Sequence, residues 1–125
     1  MASTVTELLR RRMMGSNEAP YLDGWTFYES LQTNGTTKYA ASTMVSPFYD
    51  KGTSAMSITL TKGYRWCYYD ANKQGVDYWN MNGTTTRTVP ATVRYIRVCF
   101  YIADIDNSYI KNNTNNIYLF KGKNI

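Results

Sequence analysis

Residues 93–102, VRYIRVCFYI, carry the most regular alternation of side chains in the chain. Side chains two positions apart point to the same side of an extended strand, and most residues here are β-branched or aromatic, which favours a strand over a helix. The opposite face carries Arg97 and two tyrosines, so it is only partly wet, as in a central strand. We predict a central strand whose core face consists of Ile96, Val98, Phe100 and Ile102.

The chain from Trp25 onwards repeats this period of two between turn signals such as Asn34-Gly35 and Lys62-Gly63. Residues 103–116 lack the alternation and are predicted to form a polar loop. No second helix is predicted among the strands, so the pattern indicates an all-β fold, an antiparallel β-sandwich of jelly-roll type. The other predicted strands are residues 25–31, 38–45, 56–61, 64–69, 76–81, 84–89 and 117–121.

The first fifteen residues have a helical period. Thr4 and Glu7 have the spacing of a capping box, and Gly15 is a typical helix end. The sequence therefore predicts a short N-terminal α-helix with a narrow apolar stripe and a late basic run that suits the helix dipole. The stripe consists of Val5, Leu8, Leu9 and Met13, and the basic run of Arg10, Arg11 and Arg12.

This helix is too short to be stable without a surface to pack on. That surface belongs either to the sandwich of the same chain or to another protein. Residues 16–24 are rich in turn-forming residues and indicate a linker, which favours another protein. The predicted organisation is a docking helix over residues 1–15, a linker over 16–24 and a sandwich over 25–125.

The residue inventory narrows the range of activities. The chain has no histidine and only two cysteines, which excludes Ser-His-Asp triads, histidine zinc sites and four-cysteine sites. The aspartates that could form a catalytic pair lie in or beside turns, where aspartate commonly caps backbone N–H groups. We expect no enzymatic activity, no catalytic residues, no cofactor and no metal. Cys67 and Cys99 fall in predicted strands and are expected to be small, buried or half-buried free thiols, with a cross-strand disulfide as the alternative.

Charge and hydropathy limit the expected partners. The net charge is +5, but three of the positive charges lie in residues 10–12 and no nucleic-acid-binding motif is present. Nucleic acid is therefore not an expected partner. The chain has no secretory signal and no apolar run of about 18 residues, so we expect no membrane association.

Aromatic residues make up 15% of the chain and charged residues only 18%, a balance common in β-proteins that expose rings for recognition. The most aromatic segment is the predicted hairpin of residues 64–81, where alternation places Tyr64, Trp66 and Tyr68 on one face. Exposed rings can stack on sugars, but a core or a subunit interface uses the same residues. The candidate ligand-contact residues are Tyr69, Tyr78 and Trp79, with Tyr69 and Trp79 expected to form an exposed pair.

Several segments resemble a known group of proteins. The series YYDANK (68–73), RTVPA (87–91) and VRYIRV (93–98) resembles jelly-roll modules of tailed-bacteriophage virion proteins and related carbohydrate-binding-like domains. Separately, TVTELLRRRMM (4–14) resembles a short leader on structural proteins of gut-associated phages. The resemblance implies a non-enzymatic part of a virion, often oligomeric, that is docked on the particle by its N-terminal peptide.

The function expected from this resemblance is that of a head-fibre or capsid-decoration subunit, located in the virion after assembly in the host cytoplasm. Its expected partners are phage capsid or tail proteins and further copies of itself, for instance in a trimer. The alternative is a carbohydrate-binding module or a receptor-binding tail protein that recognises host surface glycans. The docking helix favours the first function, because a free lectin has no need of a helix that requires a partner.

Overall fold

Two antiparallel sheets form the structure, a computed structural model that describes residues 22–81 and 83–125. The predicted all-β sandwich is confirmed, with strand bounds close to those that the alternation predicts. A 3₁₀ helix, Ile102–Asn107, follows the central strand. The strands of the described residues are β1 (Thr26–Leu31), β2 (Thr37–Val45), β3 (Tyr49–Asp50), β4 (Met56–Thr61), β5 (Gly63–Tyr69), β6 (Gly75–Asn80), β7 (Thr85–Val89), β8 (Tyr95–Tyr101), β9 (Tyr109–Asn112) and β10 (Ile117–Lys121).

Strand β8 lies at the centre of the first sheet, whose order is β1-β2-β8-β5-β6. It pairs with β2 on one side, where Val45 lies opposite Cys99, and with β5 on the other, where Trp66 lies opposite Val98. The short strand β3 also pairs with β8. The predicted central strand is therefore confirmed. The second sheet has the order β10-β9-β4-β7.

The main core lies between the two sheets. Ile96, Val98 and Phe100 of β8 are fully buried, and so are Ile58 and Leu60 of β4 in the second sheet. Each such side chain contributes roughly 1.5–3 kcal/mol by leaving water. The face of β8 that alternation assigns to the core therefore packs between the two sheets.

A second, smaller cluster lies on the outer face of the first sheet. The tip of the β1–β2 hairpin covers it, because the Tyr69 hydroxyl donates a hydrogen bond of 2.6 Å to the carbonyl oxygen of Gly35. The second face of β8 is thus partly wet, as predicted, with Cys99 fully buried and Tyr101 40% exposed. Both cysteines are buried free thiols, which confirms the sequence prediction. This outer cluster consists of Leu31, Val45, Cys67, Tyr69 and Cys99.

The predicted alternation of β1 breaks at Tyr28, where its pairing with β2 is irregular. Tyr28 has a φ of 64°, and the pairing of β1 with β2 shifts register between Phe27 and Glu29. Between the pairs that Phe27 and Glu29 form, β1 advances by two residues and β2 by five, so the extra residues lie in β2, and the left-handed conformation of Tyr28 interrupts the alternation of β1. Leu31 therefore lies in the outer cluster, and the prediction that it shares a face with Trp25 is wrong.

A second register shift lies at the start of β5, between Gly63 and Arg65. Trp66 and Tyr68 face the main core, as predicted, but Tyr64 packs against the outer cluster. The prediction that these three rings share one face is wrong for Tyr64, because the shift changes its phase relative to the rest of the strand.

The segment predicted as a polar loop, residues 103–116, contains regular structure. Most of the 3₁₀ helix and the whole of β9 fall within it. Ile102, expected at the end of the central strand, is the first residue of that helix. Ile105 and Ile110 are buried in the main core, so this segment packs as a part of the sandwich.

Residues 1–21 lie outside the described part of the chain. The predicted docking helix and most of the predicted linker fall there, so both stay predictions. Leu22 and Trp25 are only 8% and 9% exposed and belong to the main core. No helix within residues 22–81 and 83–125 is long and apolar enough to cross a membrane.

Candidate functional site

Tyr69 is buried on the outer side of the first sheet. It is 1% exposed, and the ring centroid of Phe48 lies 4.8 Å from its own. Burial raises the pKa of its hydroxyl. Trp79 pairs with Trp66 across β5 and β6 and so shares the inner face of Trp66. The expected exposed pair is therefore wrong, because Tyr69 and Trp79 lie on opposite faces of the sheet.

Tyr78 also faces the outer cluster and is half-buried against it. Its hydroxyl donates a hydrogen bond of 3.2 Å to the side-chain oxygen of Asn80. Of the three candidate ligand-contact residues, Trp79 lines the cleft described below, and Tyr69 and Tyr78 do not line it. The candidate docking residues of the predicted helix lie outside the described part of the chain. They are Val5, Leu8, Leu9, Arg10, Arg11, Arg12 and Met13.

Trp79 lies where the edges of the two sheets face each other. It belongs to β6, at the edge of the first sheet, and its ring centroid is 4.3 Å from that of Tyr68. Arg87 belongs to β7, at the edge of the second sheet, and its guanidinium carbon lies 4.4 Å from the centroid of a Trp79 ring. This cation–π contact joins the two edges.

A cleft of about 570 Å³ opens beside this contact. Its size is within the usual range of small-molecule sites. Two strands and a turn position its polar groups: Asp77 precedes Trp79 by two residues on β6, Arg87 comes from β7, and Thr92 follows the end of β7. The residues that define its chemistry are Tyr68, Asp77, Trp79, Arg87, Thr92 and Val93.

The charged side chains in this cleft, Asp77 and Arg87, form no ion pair with each other. The Arg87 Nε atom is buried and has no hydrogen-bond partner, and Arg87 makes no ion pair with the described residues. The Asp77 carboxylate accepts a hydrogen bond of 2.9 Å from the Tyr78 backbone N–H. Burial raises the pKa of Tyr68 to about 12, while the nearby Arg87 opposes this shift. The cleft therefore offers a cation, a carboxylate and a neutral hydroxyl to a polar ligand.

Arg87 is the functional candidate that alternation alone did not single out. In β7, Arg87 is two residues before Val89, which is fully buried in the main core. A charged residue in phase with a core valine is unusual, because burying an unpaired charge is unfavourable. The spacing of Arg87 and Val89 is visible in the sequence. It identifies a candidate site residue only once the position of β7 at the edge of the second sheet is known.

Within the described residues, no three His, Cys, Asp or Glu side chains come together as a metal site. Comparison with protein-family models, with curated proteins and with solved structures found no match. The class of protein is therefore inferred from the sandwich, its cleft and the sequence resemblance.

Proposed function

We propose that this chain is a non-enzymatic structural protein of a tailed-bacteriophage virion, a head-fibre or capsid-decoration subunit. Its N-terminal helix binds a capsid or tail protein, its sandwich is displayed outward, and several copies assemble, for instance as a trimer. The observation that carries this proposal is the leader, residues 4–14, which combines a resemblance to phage leaders with an apolar stripe beside three arginines.

The proposed jelly-roll type of the sandwich agrees with this role. Sheet neighbours come from distant parts of the chain, since β2 lies beside β8 and β4 lies beside β9. The chain also crosses repeatedly between sheets, from β4 to β5, from β6 to β7, and from β7 to β8. Such wrapping is typical of jelly rolls, which occur in viral capsid and lectin domains.

The start of the sandwich supports a short attachment. Trp25 packs between Phe100 and Phe120, with ring centroids 5.6 and 4.7 Å away, so the chain enters the core at a fixed point. Six residues lie between Gly15 and Leu22, so the two are seven Cα–Cα steps apart. Even fully extended they span at most about 25 Å. A helix docked on a particle would therefore keep the sandwich close to the particle surface.

The test is incorporation into particles. Replacing Leu8 and Leu9 by aspartate places two charges on the apolar stripe, and we expect the variant to be absent from purified particles. The matched control is Ser3→Asp, which adds a charge in the same segment but on the face of Arg10, off the stripe, and it should be incorporated normally.

The folded state of each variant is measured by thermal melting of the purified chain. The sandwich core contains neither Leu8 nor Leu9 in this proposal, so the melting temperature should match that of the parent. Normal incorporation of the double variant would exclude the helix as the docking element.

A second function, recognition of host surface glycans, is favoured by one specific observation. The cleft beside Trp79 combines an aromatic ring, a guanidinium, a carboxylate and hydroxyls, which are groups that bind polar ligands with an apolar side. Several copies on one particle would bind together, which raises the avidity above the affinity of a single copy by roughly 10²–10⁴ where the geometry permits. A virion subunit and a glycan-binding surface are compatible roles of one chain.

A further inference from the structure

Arg87 carries a positive charge in a core-facing phase of β7, and it forms no ion pair with the described residues. Thr85, Arg87 and Val89 alternate along β7, and the last of them is fully buried. The Nε atom of Arg87 is itself buried and unpaired. An unsatisfied buried donor is unfavourable, so such a group is commonly explained by a ligand or an ordered water. Because Arg87 lines the cleft and forms no ion pair with the described residues, its terminal N–H groups are suited to bind an acceptor from outside the chain.

Trp79 orients this guanidinium. The guanidinium carbon of Arg87 lies 4.4 Å from a Trp79 ring centroid, and Trp79 in turn packs against Tyr68. Stacking on an aromatic ring leaves the N–H edge of a planar guanidinium free for a bidentate contact with a carboxylate. Trp79 therefore acts here as a positioning residue for Arg87, and not mainly as a free platform for sugar stacking.

Asp77 sets a second requirement on the ligand. Its side chain lies on the same face of β6 as Trp79, and Tyr68 is its cross-strand partner on β5. An ionised carboxylate repels a bare anion but accepts hydrogen bonds from hydroxyl groups. The Tyr68 hydroxyl is a neutral donor, and it forms no hydrogen bond within the described residues. A fitting ligand carries one anionic group and several hydroxyls.

We propose that the cleft between β6 and β7 binds an acidic sugar, a saccharide unit with a carboxylate. The sugar carboxylate pairs with the Arg87 guanidinium, and sugar hydroxyls contact Asp77 and Tyr68. The volume of about 570 Å³ accommodates a sugar unit, and the open mouth leaves room for the neighbouring units of a chain. This inference rests on the second proposed function and specifies its ligand class.

The test uses the purified full chain and NMR titration, with D-glucuronate as the probe and D-glucose and acetate as the two comparison ligands. The chain has three tryptophans, whose indole N–H signals report separate places. Glucuronate should shift the Trp79 signal and leave Trp25 and Trp66 nearly unchanged. Glucose, which lacks the carboxylate, and acetate, which lacks the hydroxyls, should each bind at least about tenfold more weakly, as expected for loss of a charge-assisted pair or of several hydrogen bonds.

Three variants separate the contacts. Arg87→Gln removes the cation and should abolish the glucuronate titration, whereas Lys111→Gln, which removes a cation stacked on Tyr118 outside the cleft, should leave it unchanged. Asp77→Ala removes both acceptor oxygens for the sugar hydroxyls and should weaken glucuronate binding. If the cleft were only an anion site, the same change would strengthen binding of both acetate and glucuronate, because it removes a repelling charge.

The outcomes distinguish this inference from the functions on which it rests. Glucose binding as tightly as glucuronate would overturn the acidic class and retain glycan recognition. Acetate binding as tightly as glucuronate would overturn the sugar class, and no Trp79 shift with any ligand would remove the cleft as a site. None of these results bears on particle incorporation, which the helix variants test separately. Melting curves verify that each cleft variant is folded.

Discussion

Phe100 and Tyr101 are neighbours on β8 that face opposite sides of the first sheet. Phe100 is fully buried and lies near Trp25 and Phe120, with centroid distances of 5.6 and 6.1 Å. Tyr101 is 40% exposed and packs only at the sheet surface, where the Tyr64 ring is 4.8 Å away. The period-two pattern predicted this assignment because β8 contains no bulge.

The first prediction compares these two residues. Phe100→Ala leaves a cavity between the sheets and should lower the free energy of unfolding by about 3–5 kcal/mol. Tyr101→Ala should lower it less, because its ring already contacts water in the folded state. Urea denaturation of both variants measures the difference. A larger loss for Tyr101→Ala would reverse the face assignment of β8.

Strands and hairpins show where sequence reasoning failed. Alternation predicted β4 at its observed bounds, and it predicted the buried face of β8, because both strands are regular. It misassigned Leu31 and Tyr64, because an irregularity in strand pairing, opposite Tyr28 in one case and at Tyr64 in the other, changes the phase and leaves no apolar signature.

The candidate site was predictable only in part for a related reason. Trp79 was identified as an aromatic residue in a hairpin, and it does line the cleft. Its contact with Arg87 depends on two edge strands that belong to different sheets. The phases of β6 and β7 follow from sequence, but the meeting of their edges follows from the order of strands in each sheet, which local patterns do not contain.

The second prediction concerns the tip of the β1–β2 hairpin, which rests on β6. A Cβ atom added to Gly75 would collide with the backbone carbonyl of Asn34 and would lie 3.1 Å from the Gly35 Cα. Gly75→Ala should therefore displace the tip, break the hydrogen bond from Tyr69 to Gly35 and cost about 1–3 kcal/mol. Hydrogen exchange measures the opening of the tip through the amides of residues 32–36.

Gly52→Ala is the matched control for this change. Gly52 has a φ of 80°, but an added Cβ would meet no atom within 4 Å. Its cost is therefore conformational and local, about 1–2 kcal/mol for a side chain in a left-handed conformation. Exchange in the hairpin tip should stay as in the parent. Equal exchange in the Gly75 variant and the parent would show that the tip does not depend on this close approach.

The sandwich as a whole buries titratable groups that must stay protonated. Burial raises the pKa of the thiols Cys67 and Cys99 and of the hydroxyls of Tyr49 and Tyr69. It also raises the pKa of Tyr68 from its ordinary 10.0 to about 12. A raised pKa of an acid means that the folded state holds the proton more tightly than the unfolded state, so these groups favour folding below their ordinary pKa and lose that contribution above it.

The third prediction follows from this sign. The melting temperature should fall as the pH rises above about 9, where unfolded thiols ionise, and more steeply between about 10 and 12, where unfolded tyrosines do. Tyr68→Phe should flatten the steeper part. Tyr39→Phe, at a side chain that is 76% exposed, is the control and should leave the profile unchanged. A flat melting temperature up to pH 12 would contradict the burial of these groups.

The central position of β8 also governs how this chain folds during synthesis. The hairpins β1–β2 and β5–β6 have no hydrogen-bonded strand in common until β8 joins them, and about 50 residues separate β2 from β8. At a translation rate of about 5–20 residues per second, β2 waits several seconds for its partner. During that interval its apolar residues Met44 and Val45 and its open backbone edge are exposed to other chains. The yield of folded protein should therefore rise when the expression temperature is lowered, because cooling weakens hydrophobic association between exposed chains while the first sheet is incomplete.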